Sequence, residues 1–414
     1  MNGELIKNIR KVFSGTFLSG IIGLITWSIM AKFTNNLMFG YFAVIQTLVY
    51  FVDALVNFQS WQAVTRFAHV LNCNDRKRLY NLCFKVDFIT AMMAFVICNI
   101  ITYFFSKYFG IPSELYWFCL IYSFLILFNV SGVQLARLRI NNEFHKIRDI
   151  QLFVSLLKVI FISLFCYIGM SDFYIFISFL FFESLFHVLI ICQGFKTKDS
   201  FESGGWEVFS KKNVIRFMMF TNLSGSIRLA CQELDVIVLS SMLGPVIAGK
   251  YKIMKKYLFI VYQVTDSFQG VLYPKISSLI NNKNKNEARK LVIRFGGGLF
   301  SIVFIMFLIA LIAVPVLLPI LSGIDNRDFY YAFYIYLISI CIYSGGICFR
   351  PVVLSFNHPG YILFVYIIAT VVAFIPIHFL IIEYGVIGVA SIQVIFQIVW
   401  FMLMFIKVKR LLLC

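Results

Sequence analysis

GKYKIMKKYLFIVYQVTDSF, Gly249 to Phe268, carries four lysines within seven residues (Lys250, Lys252, Lys255, Lys256), then turns apolar and nears its end at Asp266. Leu, Ile, Val and Phe surround it on both sides. Placing this stretch decides the fold, because the rest of the chain reads as lipid-solvated. Of 414 residues, 61% are hydrophobic, 18% aromatic and only 13% charged. A soluble domain is about half apolar and about a quarter charged. The formal net charge of +17 has a ready source, since the cytoplasmic loops of a polytopic membrane protein collect Lys and Arg. Nucleic acid is therefore not a partner that the charge implies.

Apolar runs of roughly 20 residues, the length a bilayer crossing requires, recur along the chain. Spans are predicted near 12–32, 39–61, 86–106, 115–136, 150–169, 173–193, 214–239, 246–270, 291–320, 329–349, 360–382 and 386–406. The lysine stretch is then the eighth of twelve. The first run lacks a small-residue cleavage site and is expected to stay as a helix rather than leave as a signal peptide. The cysteines are scattered, most within apolar runs (Cys98, Cys119, Cys166, Cys192, Cys231, Cys341, Cys348), with no metal spacing. They read as small buried hydrophobes.

The connecting segments alternate in charge. One set holds Lys7, Arg10 and Lys11; Arg66, Arg76, Lys77, Arg78 and Lys85; Arg137, Arg139, Lys146 and Arg148; Lys196, Lys198, Lys211, Lys212 and Arg216; Lys275, Lys283, Lys285, Arg289, Lys290 and Arg294; and Lys407, Lys409 and Arg410. That is 26 of the 36 basic residues. The other set holds Lys32, Lys107 and Arg327. The positive-inside rule assigns the first set and both termini to the cytoplasm. The far-side loops are short and leave no room for a soluble catalytic domain. Arg350, at a cytoplasmic helix end, can snorkel.

The chain also repeats. Gly40-Tyr41 opens the second span after NNLMF, and Gly249-Lys250-Tyr251 opens the eighth after GPVIA. In that register Arg66 pairs with Lys275, Asn72 with Asn281 and Lys85 with Arg294, without a gap. Two six-helix lobes are predicted, 1–193 and 213–414, joined by a cytoplasmic linker at 194–212 and related by an axis along the membrane normal. Parallel repeats of this kind mark transporters, with the substrate near midplane at the repeat interface.

Within the eighth span, Lys255 and Lys256 fall roughly 15 Å from the helix start, near the bilayer centre. Lys252, Lys255, Lys256, Phe259, Gln263 and Asp266 share one face; Lys250 points the other way, near the surface. An ammonium at the bilayer centre costs about 2.5–3.5 kcal/mol on the insertion scale, so these groups must face water, an acid or an anion. Arg228, Gln232 and Asp235 form a stripe on span 7. Gln46, Tyr50, Asp53 and Asn57 form another on span 2. Glu183 and His187 are an i, i+4 pair on span 6, and Lys158 lies in span 5. Two readings of Asp53, Glu183, Asp235 and Asp266 stay open: acids that neutralise the lysines and hold helices together, or groups that couple transport to Na⁺, H⁺ or membrane potential. The lysine face, joined by Arg228 and Lys158, reads as a cavity for an anion.

FGYFAVIQTL (39–48), WQAVTRF (61–67), QELDVIVLSSMLGPVIAGKYKI (232–253) and LYPKISSLINNKNKNEARKLV (272–292) carry a resemblance to the Wzx-type O-antigen flippases of the multidrug/oligosaccharidyl-lipid/polysaccharide exporter superfamily. The resemblance implies an all-α membrane protein of two six-helix lobes in a V, working by alternating access in the bacterial inner membrane. It implies a substrate of undecaprenyl pyrophosphate bearing an oligosaccharide repeat unit, moved from the cytoplasmic to the periplasmic leaflet. A polysaccharide polymerase and a chain-length regulator are the expected protein partners, and the flippase is expected to be a monomer. The lysines, as compact phosphate binders, would hold the pyrophosphate.

No enzyme, resident metal or cofactor is expected. Gly296-Gly297-Gly298 lacks the Gly-Lys-Ser/Thr ending of a phosphate loop and opens a span, where close helix packing accounts for it. A drug exporter of the same superfamily would want an acidic cavity. A peptidoglycan-precursor flippase would carry the same chemistry, and relatives of that kind often have extra helices. A membrane polymerase would need a large periplasmic loop, and a channel a ring of equivalent charges.

Overall fold

Apolar runs with nothing but lipid around them must satisfy their backbone groups internally, which helices do. The computed structural model follows that rule: among the described residues, 2–413 apart from 59, 69–70, 198–209, 282–283 and 357, every regular element is a helix. The chain divides into two compact units, Met1–Ser241 and Met242–Cys414. The first holds α1 (Asn2–Phe33), α2 (Asn36–Val56), α3 (Trp61–Phe67), α4 (Cys73–Phe105), α5 (Tyr116–Phe128), α6 (Gly132–Ile140), α7 (Phe144–Ile168), α8 (Asp172–Lys196) and nearly all of α9 (Lys211–Leu243). The second holds α10 (Pro245–Asn281), α11 (Lys285–Ser322), α12 (Arg327–Gly345), α13 (Phe349–Ser355), α14 (Pro359–Phe374) and α15 (Ile377–Leu413). The division falls after α9 rather than in the expected linker, most of which (198–209) lies outside the described residues. Val214 and Met218 of α9 are buried in a core with Ala63, Val64, Leu79 and Val133, which ties that helix to α3, α4 and α6.

Eight segments among the described residues are long and apolar enough to cross a membrane, and Phe17–Phe33 and Gly360–Phe374 are shorter apolar helices. Helices α9 and α10, of 33 and 37 residues, are longer than a crossing needs but carry charges along their length. Helix α10 starts at Pro245 and α2 at Asn36, the same offset as Gly249 from Gly40. The two then part: α10 runs unbroken to Asn281, whereas α2 ends at Val56 and α3 restarts at Trp61. The second predicted span, 39–61, is thus corrected to a helix, a break and a short second helix. The basic residues expected in loops are corrected too. Arg66 sits on α3, Arg76 on the first turn of α4, and Arg137 and Arg139 on α6.

Local sequence explains the ends. Asn35, Asn72 and Asn326 cap α2, α4 and α12, their side-chain oxygens accepting from the N–H groups of Leu37, Asp75 and Asp328; such caps satisfy donors that the helix leaves open. At Gly385 the backbone takes φ 54°, ψ −123° inside α15. Only glycine adopts this readily, and the turn separates the predicted eleventh and twelfth spans. Of the three consecutive glycines on α11, only Gly296 faces a close neighbour, the carbonyl of Gly345 on α12; a Cβ at Gly297 or Gly298 would meet open space.

Aromatic rings fill each unit. In the first, Phe42 stacks on Phe176 at 4.5 Å and meets Trp27 and Phe179 edge-on or tilted, joining α1, α2 and α8. In the second, Trp400 and Phe401 of α15 pack on Tyr343 and Phe349. Rings at 4.5–7 Å add about 0.5–1.5 kcal/mol per pair beyond burial.

Candidate functional site

Two polar clusters lie inside otherwise apolar surroundings in the first unit. The first gathers on Glu183 of α8. Tyr50 of α2 donates its hydroxyl to Glu183 Oε2 at 2.8 Å, and Tyr122 of α5 donates to the same oxygen at 3.2 Å. Gln46 Nε2 donates to Tyr122 Oη at 2.8 Å. Lys158 Nζ of α7 lies 4.0 Å from Glu183 Oε1 and 4.3 Å from the centre of the Phe179 ring. One carboxylate therefore holds four helices, and Lys158 finds both an acid and a ring. Glu183 and His187, the i, i+4 pair, both fall on α8 but bond different partners: His187 Nδ1 is hydrogen-bonded to the Ser131 hydroxyl at 2.8 Å, and Glu183 meets the two tyrosines and Lys158.

The second cluster closes the break between α2 and α3. Asp53 is 6% exposed and accepts from the side-chain amides of Asn57 at 2.9 Å and Asn129 at 2.5 Å. No cation reaches it among the described residues. Asn57 is the C-cap of α2 and bonds Asp53 four residues back. Beside it, Asp87 of α4 accepts from the backbone N–H and the hydroxyl of Ser60. The Thr90 hydroxyl accepts from the Phe58 N–H at 3.0 Å and donates to Asn57 Oδ1 at 3.2 Å. Asp87 has a signal in the sequence, as an acid just inside the predicted third span. Tyr122, Asn129, Ser60 and Thr90 gave none, because ordinary polar residues reveal their role only through their partners.

On α9, Asp235 is fully buried and accepts from the Val236 N–H, while Arg228 and Gln232 are half-buried; each of the three has further interacting neighbours.

The second unit carries the lysines on α10. Lys252 is 3% exposed, and Lys250, Lys255 and Lys256 are half-buried. Lys255 Nζ lies 5.8 Å from the ring centre of Tyr251, one turn back. Lys252, Lys255 and Lys256 all have further interacting neighbours. Phe259, expected on their face, is 54% exposed. The face is therefore not uniform, being deepest at Lys252. Gln263 and Asp266 fall on α10, but their side chains lie outside the described residues. No group of three or more His, Cys, Asp or Glu side chains is placed to hold a metal ion among the described residues.

At the basic end of the first unit, cations lie on rings rather than in free loops. Arg66 stands 4.5 Å from the centre of the Phe217 ring and Arg137 4.7 Å from that of Tyr80. Arg137 also donates to the Thr197 carbonyl at 2.9 Å. Glu143, between α6 and α7, accepts from Lys146 at 2.7 Å and from the Thr197 hydroxyl at 2.6 Å. Burial pushes its carboxyl up, but those two hydrogen bonds and the Lys146 charge outweigh burial and hold it below its ordinary value of 4.5.

Residues 5–280 match the family model described as polysaccharide biosynthesis protein. A curated relative, the inner membrane protein YghQ of Escherichia coli (strain K12), is 23% identical over 144 residues; the match covers 34% of this chain and 41% of that protein. Among solved structures, the lipid II flippase MurJ in an inward closed conformation superposes with a TM-score of 0.71 at 17% identity, covering 97% of this chain and 89% of that one. A Vibrio cholerae MATE transporter, VcmN, gives 0.67 at 12% identity, covering 98% and 95%. An inward-facing MATE family transporter of the MOP superfamily gives 0.65 at 13%, covering 97% and 94%. The fold is that of these transporters and this flippase.

Proposed function

Since the chain belongs to the polysaccharide biosynthesis protein family, we propose that it is a flippase for lipid-linked oligosaccharide. It moves undecaprenyl pyrophosphate bearing an O-antigen repeat unit from the cytoplasmic to the periplasmic leaflet of the inner membrane. Twelve spans in two repeated halves work by alternating access, with both termini in the cytoplasm. A glycan cannot cross hydrocarbon unaided, and its pyrophosphate needs cations on the way. The observation that carries this reading is the lysine helix: Lys252 is buried to 3% exposure on α10, with Lys255 and Lys256 one turn on. Lysines serve as point-charge phosphate binders, and several of them on one helix suit a cargo with a multiply charged head. Of the residues expected to line the path of the glycan, Tyr50 and Gln232 are half-buried and serve it in this scheme, whereas Gln46 and Asn57 are buried and already bonded to Tyr122, Asp53 and Thr90.

Membrane potential supplies the drive. The cytoplasm is electrically negative, and outward movement of anionic charge is downhill by about 2.3 kcal/mol per elementary charge per 100 mV. Among Asp53, Glu183, Asp235 and Asp266, Asp53 is the acid that resets the carrier by binding Na⁺ or H⁺. Its support is burial with neutral amides as its side-chain hydrogen-bond partners among the described residues, whereas Glu183 already faces Lys158. The experiment is a proteoliposome assay with imposed potential, Na⁺ gradient or pH gradient. Asp53→Asn is expected to abolish the ion dependence; wild-type rate and wild-type dependence in that variant would leave Asp53 a structural residue only.

A further inference from the structure

A groove of about 550 Å³ opens in the first unit beside the start of α9, inside the range of roughly 300–1,000 Å³ typical of ligand pockets. Lys212 and Arg216 stand at one end, one helical turn apart, both exposed. Neither pairs with an acid among the described residues. Leu55 of α2 with Met219 and Leu223 of α9 form an exposed apolar floor. Ser226 lines the groove at 4% exposure, and its hydroxyl meets no hydrogen-bond partner among the described residues. From Lys212 to Ser226 the groove follows α9 for about 21 Å.

Those features describe an amphiphile. Two cations one turn apart suit a multiply charged phosphate head. The exposed apolar floor suits a hydrocarbon chain that stays in contact with lipid. Asn222 and Ser226 share one edge of the helix stripe, since residues four apart are neighbours on a helix surface, and Asn222 also lines the groove. The Ser226 hydroxyl lines the groove with no hydrogen bond to the protein among the described residues, so the occupant that fits best brings polar groups of its own. An ordinary phospholipid meets the head and floor but not that polar edge. We infer that this groove is a loading site for the sugar–pyrophosphate end of a polyprenyl-linked glycan, separate from the α10 lysines. It lies on the side that the distribution of Lys and Arg assigns to the cytoplasm, where such a lipid is assembled. The inference rests on the flippase reading above.

The test uses the full-length protein in phosphatidylcholine nanodiscs, carrying Lys255→Ala and Lys256→Ala so that α10 does not report. It is titrated with undecaprenyl pyrophosphate bearing one hexose. Lys212→Gln with Arg216→Gln is expected to weaken binding at least tenfold. Met219→Trp, which fills the groove and leaves the charge intact, is expected to do the same. Ser226→Ala weakens the hexose-bearing probe more than undecaprenyl pyrophosphate without sugar. Lys211→Gln, outside the groove, binds as the parent does. Parent-like affinity in both groove variants overturns the site. Displacement of the probe by equimolar phosphatidylglycerol also overturns it, by making the groove a general anionic-lipid site, as does displacement by inorganic pyrophosphate. The functional reading fails separately: a protein that binds the probe through these residues, yet whose wild type moves no lipid-linked glycan in proteoliposomes, keeps the site and is not a flippase.

Discussion

Glu183 shows what a single acid does when little water reaches it. It accepts from two tyrosine hydroxyls and faces Lys158, with the Lys158 and Glu183 side chains 15% and 19% exposed. Removing one partner of a buried pair costs about 3–5 kcal/mol, because the other charge is left uncompensated. At a separation of 4.0 Å and with some exposure, Glu183→Gln is expected to cost less, about 2 kcal/mol. Adding Lys158→Met should recover most of that loss, a coupling that thermal unfolding of the single and double variants in detergent would measure. Additive losses would show that the pair does not interact. The acids were visible in the sequence as charges inside apolar runs. Their partners were not, since Tyr122 and Asn129 lie 76 residues from Gln46 and Asp53 respectively and nothing local links them.

At the scale of elements, apolar run length located the eight long apolar segments found among the described residues, and what it could not supply was the break between α2 and α3. That segment, Asn57-Phe58-Gln59-Ser60, holds neither Gly nor Pro. Its Phe58 and Ser60 N–H groups are taken by Thr90 and Asp87 of α4 instead of by a continuing helix, a tertiary cause with no local signature. The turn at Gly385 was legible as the gap between two apolar runs, although its backbone geometry was not. Gly385→Ala is expected to cost about 1–3 kcal/mol through strain at that dihedral, read as a lower Tm; an unchanged Tm would mean that the turn relaxes. Where α6, α7 and α8 end together, Glu143 is held by Lys146 and Thr197. Its carboxyl is depressed in the folded protein, so its contribution is present above its ordinary value of 4.5 and fades as pH falls through the lower folded value. Glu143→Gln is expected to flatten the loss of Tm below about pH 4.5 and to leave that slope unchanged near pH 7. A wild-type acid limb in the variant would remove Glu143 from the account.

For the whole molecule, composition and charge alternation already pointed to a polytopic membrane protein, and family and fold agree with that. The substrate is harder to read, because sugars are held by the same Asn, Gln and Tyr residues that fill any polar interior. The lysines on α10 are the feature that narrows the choice, and the central claim is that they carry the phosphorylated head across. The measurement that tests it most directly is translocation of fluorescent lipid-linked oligosaccharide in proteoliposomes at matched protein incorporation, with an inside-negative potential on the cytoplasmic face of the protein. The account predicts at least a tenfold loss of rate in Lys255→Ala/Lys256→Ala, a partial loss with arginine at both positions, which keeps charge but changes geometry, and a milder effect of Lys250→Ala. A wild-type rate in the double alanine variant would contradict it.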